Sequence, residues 1–375
     1  MPAAPRYSMW REGAPLLVGA VLALLFLEVA RHHVFTVADE AGLGRETTAV
    51  LHRVGDEIVA CADATDSAQC VAGYVRKGRP PSILLLGNSQ LYAINHFKEG
   101  QRTTPTLLHE KLLARGYYLV TYSEPNANLF EHGLVFAALA PQFHPKLLIV
   151  PVFLDKIREQ GVRSAVSDLL DNPAARDSVM ASPLWPMLRP LIDANRKEAT
   201  PAAEEDTSFH LRFERRLNDA LASVSGLWTD RMMLQGTAKV GMFRLRNLVL
   251  GINSRTKRKV DPTVYREKMA ALEATLQDAR SRNVRVLLYL PPYRQDIDGP
   301  NVASDYAALK KDLAALAEKY NAVFADIDNI VPGPEWAKTV DVLFGVEDED
   351  FVHFTAEGHR RHAEALDAVL RRMGF

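Results

Sequence analysis

The sequence predicts an α/β fold in which helices cover both faces of a mostly parallel sheet, a three-layer doubly wound arrangement. Three observations predict it. Short apolar runs bounded by turn residues recur along the chain, segments of helical periodicity separate them, and the two alternate from residue 80 onward. Apolar runs that lack polar alternation are typical of strands buried on both faces, as in parallel sheets.

The composition is typical of a large globular protein and shows no excess of basic residues of the kind that binds nucleic acid. The chain has 375 residues, of which 47% are hydrophobic, which is enough for more than one ordinary domain core. Its 45 Lys and Arg residues balance 46 Asp and Glu residues. A nucleic-acid partner would require a basic excess, so we expect none.

An uncharged apolar run occupies residues 13–27 near the N-terminus. It is short for a spanning helix, which needs about 20 residues, but the flanking Arg11 and a snorkelling Arg31 extend its effective length. We therefore predict that residues 1–33 form an N-terminal membrane anchor. A cleaved signal peptide and a buried core helix are the alternatives. The favoured orientation makes the chain a single-pass protein of the bacterial inner membrane, with its body in the periplasm or another extracytoplasmic space.

Residues 34–79 are mixed and charged, and we interpret them as a lead-in or stalk. They contain Cys61 and Cys70, the two cysteines of the chain. Nine positions apart, these residues can close a disulfide loop in an oxidising compartment, or they can be two unrelated buried thiols.

The predicted α/β domain, residues 80–375, begins at Pro80-Pro81, which ends any preceding helix and favours extended backbone. Five predicted strands follow, at residues 82–87, 117–122, 146–154, 284–290 and 322–327. Predicted helices begin at Thr104-Pro105, at Asn128 and at Asp261-Pro262, and further helices cover residues 304–320 and 356–373. Residues 155–260 interrupt the alternation with charged and turn residues, and we predict that they form a largely helical insertion.

Two separated motifs carry candidate catalytic chemistry. Ser89 follows the first buried strand in Gly87-Asn88-Ser89-Gln90, and Asp350 lies three residues before His353, just ahead of the last helix. A serine becomes a nucleophile when an imidazole takes its proton and a carboxylate orients that imidazole. Ser89, His353 and Asp350 are therefore the predicted nucleophile, base and orienting acid. The alternatives are a turn serine and a helix-capping histidine.

The order of these motifs resembles that of the SGNH (GDSL-like) hydrolases, at Gly87-Asn88-Ser89 and at Asp350-x-x-His353. The resemblance implies an SGNH/flavodoxin-like sheet and acyl transfer without a cofactor. It also implies oxyanion donors from the nucleophile's own N–H, from a glycine after the second strand and from an asparagine after the third. This chain has no asparagine directly after its third strand. Asn126 and Asn128, after the second strand, are the candidate substitutes, and a turn residue and a helix N-cap are the alternative interpretation.

Other polar residues near the predicted site receive weaker assignments. Tyr293 and Arg294 follow the fourth strand and are candidate substrate contacts, with a plain loop as the alternative. His359 and His362 share a helix face without a third ligand, so we predict a solvated helix and no metal site. We expect His132 on the surface of the second helix.

The resemblance favours one function and leaves two others open. Membrane-tethered SGNH domains with an insertion resemble proteins that work beside membrane-bound O-acyltransferases to acetylate cell-surface polysaccharides, and the D-alanyl transfer protein of lipoteichoic acid assembly. The first hypothesis is therefore O-acyl transfer to or from a cell-envelope polysaccharide through an acyl-Ser89 intermediate. The second is a carbohydrate esterase or lipase-like hydrolase acting on an acyl ester. The third is a non-catalytic scaffold that binds glycan or an acyltransferase.

Overall fold

The computed structural model describes residues 53–54, 57–61, 64–92, 100–199, 249–340 and 347–375, with scattered positions between 15 and 28 and between 242 and 247. The chain divides into two compact units. The larger consists of Leu43–Pro201, Asn253–Thr339 and Glu347–Phe375 and contains the sheet. The other consists of Met1–Gly42, Ala202–Ile252 and Val340–Val346, and most of it lies outside the described residues.

A six-stranded parallel sheet forms the centre of the larger unit, in the order β3-β5-β4-β6-β7-β8. These strands are β3 (Ala60–Cys61), β4 (Ser82–Gly87), β5 (Tyr118–Ser123), β6 (Leu147–Pro151), β7 (Arg285–Leu290) and β8 (Val323–Asp326). Two small pairs lie outside it, β1 (Arg53–Val54) with β2 (Glu57–Ile58) and β9 (Trp336–Val340) with β10 (Glu347–Phe354). Because the first long strand, β4, lies between β5 and β6, the strand order reverses at β4. Sites in open sheets form at such a switch point, beyond the carboxyl ends of the strands.

Helices cover both faces of the sheet, which confirms the predicted parallel α/β class. The described helices are α1 (Ala64–Arg76), α2 (Thr104–Leu113), α3 (Leu129–Phe143), α4 (Leu154–Ile157), α5 (Ser164–Ser167), α6 (Pro173–Met180), α7 (Trp185–Ala199), α8 (Pro262–Ser281), α9 (Ala303–Tyr320) and α10 (Ala356–Arg372). Residues of α2 and α10 share one hydrophobic cluster with Ile83 and Leu85 on one face, whereas residues of α3, α8 and α9 share another with Leu84 and Leu86 on the other face. The alternate direction of successive strand side chains divides the core into two layers.

Local sequence signals account for the helix starts. Asp261 caps α8 by accepting hydrogen bonds from the N–H groups of Thr263 and Val264 at 2.7 and 3.2 Å, and Pro262 occupies the first turn, where its missing donor costs nothing. Asn128 caps α3 in a capping box with Glu131.

The edge strand β3 lies in the segment that we predicted to be a stalk. It is additional to the five predicted strands. Its two residues pair with Thr121 and Tyr122 of β5. A disulfide joins Cys61, in this strand, to Cys70 in α1, with Cα atoms 6.6 Å apart. A strand of two residues has no detectable period, so its pairing depends on the neighbouring strand and the cross-link.

The first part of the predicted insertion packs against the core of the larger unit. Helix α6 packs on α3, and Val166, Val179 and Leu188 are fully buried. The buried Glu131 in α3 accepts hydrogen bonds from the backbone N–H and the Nε of Arg163, at 2.9 and 2.7 Å. This charge-assisted pair holds the segment after α4 against the start of α3.

No helix among the described residues has the length and apolar character needed to cross a membrane. The predicted anchor at residues 1–33 lies mostly outside the described residues. Its described positions include Val18, Leu22 and Phe26, which are helical and more than half exposed.

Candidate active site

The chain turns sharply where β4 ends, and this turn carries Ser89. Asn88 has extended backbone, and its side-chain oxygen accepts a hydrogen bond from the N–H of Gln90 at 2.9 Å, which caps the single 3₁₀ turn Ser89–Leu91. Leu91 then folds back onto the strand end. A Cβ atom at Gly87 would lie 2.2 Å from the Leu91 Cδ1, so only glycine allows this close approach.

The second half of the site lies on β10, immediately before α10. The Asp350 Oδ1 accepts the backbone N–H groups of Val352 and His353 at 2.8 and 2.9 Å. Its Oδ2 lies 2.8 Å from the Nδ1 of His353. Burial of Asp350 acts to raise its pKa, but the hydrogen bonds and charge of His353 outweigh it and hold the pKa of that carboxyl below its usual range. The carboxylate therefore stays charged at neutral pH.

These two halves meet in one hydrogen-bonded row. The Nε2 of His353 lies 2.9 Å from the Oγ of Ser89, although the residues are 264 positions apart. Ser89 is 5% exposed, and the His353 side chain is 17% exposed. With Asp350 on Nδ1–H, the Nε2 lone pair faces the serine hydroxyl. This geometry allows His353 to take the Ser89 proton and return it to a leaving group.

Gln90, which the sequence analysis did not assign, connects the two halves of the site. Its fully buried side chain donates from Nε2 to the carbonyl oxygens of Pro292 at 2.7 Å and Val352 at 2.8 Å. Val352 is the neighbour of His353, so the residue after the nucleophile holds the segment that carries the base. In the sequence, the position of this amide directly after the candidate nucleophile is the only indication that Gln90 could take part in the site.

We expect Gln90→Ala to lower kcat by about 10²-fold while KM changes little. The variant removes the hydrogen bonds to the carbonyl oxygens of Pro292 and Val352 and releases the His353 segment. A displacement of about 1 Å is enough for such a loss. Steady-state kinetics on 4-nitrophenyl acetate measures the split between kcat and KM. Gln277→Ala, which removes an exposed hydrogen bond to Tyr320, is the matched control. A rise in KM at constant kcat would contradict a positioning role.

Tyr293 and Arg294, which follow β7, both contact the β10 segment. The guanidinium of Arg294 is committed to Asp296 and Glu349, and its backbone N–H donates to the Phe351 carbonyl at 3.1 Å. Arg294 therefore supports the β10 segment, and its guanidinium is not free for the predicted substrate contact. The ring of Tyr293 stacks on Phe351 with centroids 6.0 Å apart. Its hydroxyl is buried without a hydrogen-bond partner among the described residues.

The two asparagines after β5 are engaged in local structure. The Oδ1 of Asn128 accepts the Phe130 N–H at 2.9 Å, and its Nδ2 donates to the Gly161 carbonyl at 3.1 Å. Both ends of this amide are therefore occupied, as in the alternative interpretation as a helix N-cap. Asn126 is exposed in left-handed backbone with φ 60°, and its Oδ1 accepts a hydrogen bond from Lys156 at 2.6 Å.

Three histidines that we predicted to be exposed to solvent lie in the interior. His359 and His362 on α10 are fully buried, and the Nδ1 of His359 accepts the Thr104 N–H at 3.1 Å. His132 is 4% exposed, with its Nε2 3.3 Å from the Gly87 carbonyl. These rings pack under α2 and under the nucleophile turn, so the solvated-face interpretation was wrong. Among the described residues, no cluster of three metal-ligating side chains exists.

We expect the folded chain to lose stability in acid because of these buried rings. Burial lowers the pKa of His132 to about 4 and that of His362 to about 3. The unfolded chain binds both protons near pH 6.5, so stability is complete above that pH and falls as the pH decreases toward the folded values. For His132 alone the loss is about 3 kcal/mol by pH 4.

Urea unfolding between pH 7 and pH 4.5 measures this effect. In His362→Gln one proton fewer is taken up on unfolding, so the slope of the unfolding free energy against pH decreases by about 1.4 kcal/mol per pH unit below pH 6. Equal slopes in the parent and the variant would contradict the assignment.

Comparison with known proteins gives one family match. Residues 177–361 match the model of the GDSL-like lipase/acylhydrolase family, a range that contains Asp350 and His353 and begins after Ser89. No curated protein matches the chain.

Two solved structures illustrate the similarity. A GDSL-like lipase from Bacteroides thetaiotaomicron is 12% identical, with 83% of this chain and 98% of that chain covered and a TM-score of 0.38. A catalytic mutant of an acetylxylan esterase from Geobacillus stearothermophilus is 10% identical, with 79% and 94% covered and a TM-score of 0.37.

Proposed function

We propose that the chain is a serine acyl-transfer enzyme related to the GDSL-like lipase/acylhydrolase family. In this proposal it moves an O-acyl group, most simply acetyl, to or from a cell-envelope polysaccharide. The observation that carries the proposal is the hydrogen-bonded row of Ser89, His353 and Asp350, with distances of 2.9 and 2.8 Å. A non-catalytic scaffold would not require a buried serine to face an imidazole that a buried carboxylate orients.

The row supports a two-step reaction. As the Oγ of Ser89 bonds to the acyl carbon, the Nε2 of His353 takes the hydroxyl proton, and Asp350 stabilises the imidazolium. The donor oxygen then leaves with that proton, and acyl-Ser89 remains. In the second step an acceptor hydroxyl gives its proton to His353 and attacks the acyl carbon. The Ser89 oxygen leaves and regains a proton. A sugar hydroxyl as acceptor makes the reaction a transfer, and water makes it hydrolysis.

Two features support action outside the cytoplasm. The disulfide between Cys61 and Cys70 is typical of an oxidising compartment. The exposed helical positions Val18, Leu22 and Phe26 recur on one helix face inside the apolar run, which suits an N-terminal anchor. The proposal is therefore that the chain is a single-pass protein of the bacterial inner membrane with its catalytic domain in the periplasm. A membrane-bound O-acyltransferase is the partner that would supply the acyl group.

Protease accessibility in spheroplasts, compared with intact cells, tests the location. Protection of the catalytic domain in both would contradict it.

The acceptor distinguishes this function from the second candidate. The description of the matched family favours an esterase or lipase-like hydrolase, for which water is the acceptor. The test incubates the purified chain with 4-nitrophenyl acetate, with and without an unacylated oligosaccharide, and measures nitrophenol release together with acylated sugar by mass spectrometry. Acylated sugar that depends on Ser89 supports transfer. Acetate alone, at every sugar concentration, supports hydrolysis.

A further inference from the structure

A charged cavity of about 290 Å³ lies where the chain leaves β6. Six charged side chains line it, four of them cationic: Asp155, Lys156, Arg158, Glu159, Arg258 and Lys259. The excess of cations is unusual in a chain whose total charge is nearly balanced. Like charges that share a cavity repel one another, so a bound anion would stabilise this arrangement.

The cations of the cavity differ in whether they are already neutralised. Arg158 pairs with Asp155, and Lys156 donates to the side-chain oxygen of Asn126. The side chains of Arg258 and Lys259 make no hydrogen bond or ion pair with any described residue. These two cations are therefore available to a ligand, and an arginine guanidinium can bind a carboxylate or a phosphate through two parallel hydrogen bonds.

Backbone contacts connect this cavity to the segment that carries the catalytic base. The N–H of Arg258 donates to the Pro300 carbonyl at 2.9 Å. The adjacent Gly299 lies so close to Phe351 that a Cβ atom there would be 2.8 Å from the ring. Phe351 directly follows Asp350. The segment with Arg258 and Lys259 therefore contacts Pro300, and the neighbouring Gly299 packs against the segment that carries His353.

Tyr293 provides a second link. The charges of Asp155, Arg158 and Arg258 from the cavity, and of Asp350 from the catalytic row, all act on its hydroxyl. This hydroxyl is buried and has no hydrogen-bond partner among the described residues. A buried donor without an acceptor destabilises the folded chain, and a bound acceptor would remove that cost.

We infer that this cavity binds an anionic group, a carboxylate or a phosphate, on the substrate whose acyl group Ser89 transfers. The inference rests on the proposed function and adds to it a substrate class, an acidic glycan. Arg258 and Lys259 supply the charge that holds the anionic group, while the sugar hydroxyl or its ester lies at Ser89. Neutral esters react at the same serine without this contact.

The test compares two acetylated substrates that differ only in charge, an O-acetylated hexuronate disaccharide and its neutral hexose counterpart. Acetylated glycerol phosphate, with acetylated glycerol as its neutral counterpart, distinguishes phosphate from carboxylate. In the double variant Arg258→Gln, Lys259→Gln we expect kcat/KM for the preferred anionic substrate to fall by about 10–100-fold, and that for the neutral one to change less than twofold. Arg255→Gln, an exposed arginine of the same segment outside the cavity, is the matched control.

Failure of the inference and failure of the proposed function give different results. If both members of each pair react equally well in the parent chain, with rates that depend on Ser89, the anionic site is refuted and acyl transfer stands. If no ester reacts in a Ser89-dependent manner, the proposed function fails. The site is then tested by calorimetric titration of unacetylated hexuronate disaccharide, glycerol phosphate and hexose disaccharide into the Ser89→Ala chain. Preference for an anion that the double variant loses supports the site, and equal affinities overturn it.

Discussion

Replacing Ser89 by alanine is expected to reduce kcat for ester cleavage by about 10⁴–10⁶-fold while the chain stays folded. The reason is that acyl transfer begins with attack by the Ser89 oxygen, and water held by the remaining His353 is a much poorer nucleophile in this geometry. Ser89 accounts for one side-chain hydrogen bond in the row, at 2.9 Å, so its loss costs little stability. Hydrolysis of 4-nitrophenyl acetate and circular dichroism on the same samples measure both quantities.

Ser82→Ala is the matched control for this prediction. Ser82 lies at the opposite end of β4, where its hydroxyl donates to the Phe143 carbonyl at 2.6 Å. The substitution removes a hydroxyl oxygen as Ser89→Ala does, but at the far end of the strand that leads to Ser89, so we expect a loss of about 1 kcal/mol in stability and an unchanged kcat. A Ser89→Ala chain that retains more than a tenth of the parent rate would show that the chemistry lies elsewhere.

Asp350→Asn is expected to lower kcat at neutral pH by about 10⁴-fold. The carboxylate Oδ2 accepts a hydrogen bond from the Nδ1–H of His353, which leaves Nε2 as the free base toward Ser89. An asparagine amide at that position donates instead, so the imidazole must carry its proton on Nε2. In that tautomer it can no longer take the proton of Ser89.

The stability of the same variant separates this tautomer effect from unfolding. The Oδ1 of Asp350, which accepts two backbone N–H groups, has an equivalent in the asparagine oxygen, so the local backbone of β10 is preserved. Asp367→Asn provides the comparison, because Asp367 is a buried carboxylate paired with Arg115 and Arg371, away from the row. We expect it to lower stability and leave kcat unchanged. A loss of less than tenfold in Asp350→Asn would refute the assigned role of the carboxylate.

Some features of this chain are encoded within a few residues, and the sequence was sufficient to predict them. The parallel strands appear as continuous apolar runs because both faces of each strand are buried. The caps of α3 and α8 depend on one side chain and the next two or three N–H groups. The contact between Asp350 and His353 on β10 is equally local, since the carboxylate accepts the N–H groups two and three residues after it.

Other features exist only through contacts between distant segments. The 2.9 Å approach of Ser89 to His353 joins residues 264 positions apart, and Gln90 reaches Pro292 and Val352 across 202 and 262 positions. Nothing local distinguishes the buried His362 from a solvated one, or the committed Arg294 from one that is free to bind substrate. Burial and pairing depend on which surfaces the fold brings together, so the sequence determined the strands and helices, and only their packing decided which polar groups meet.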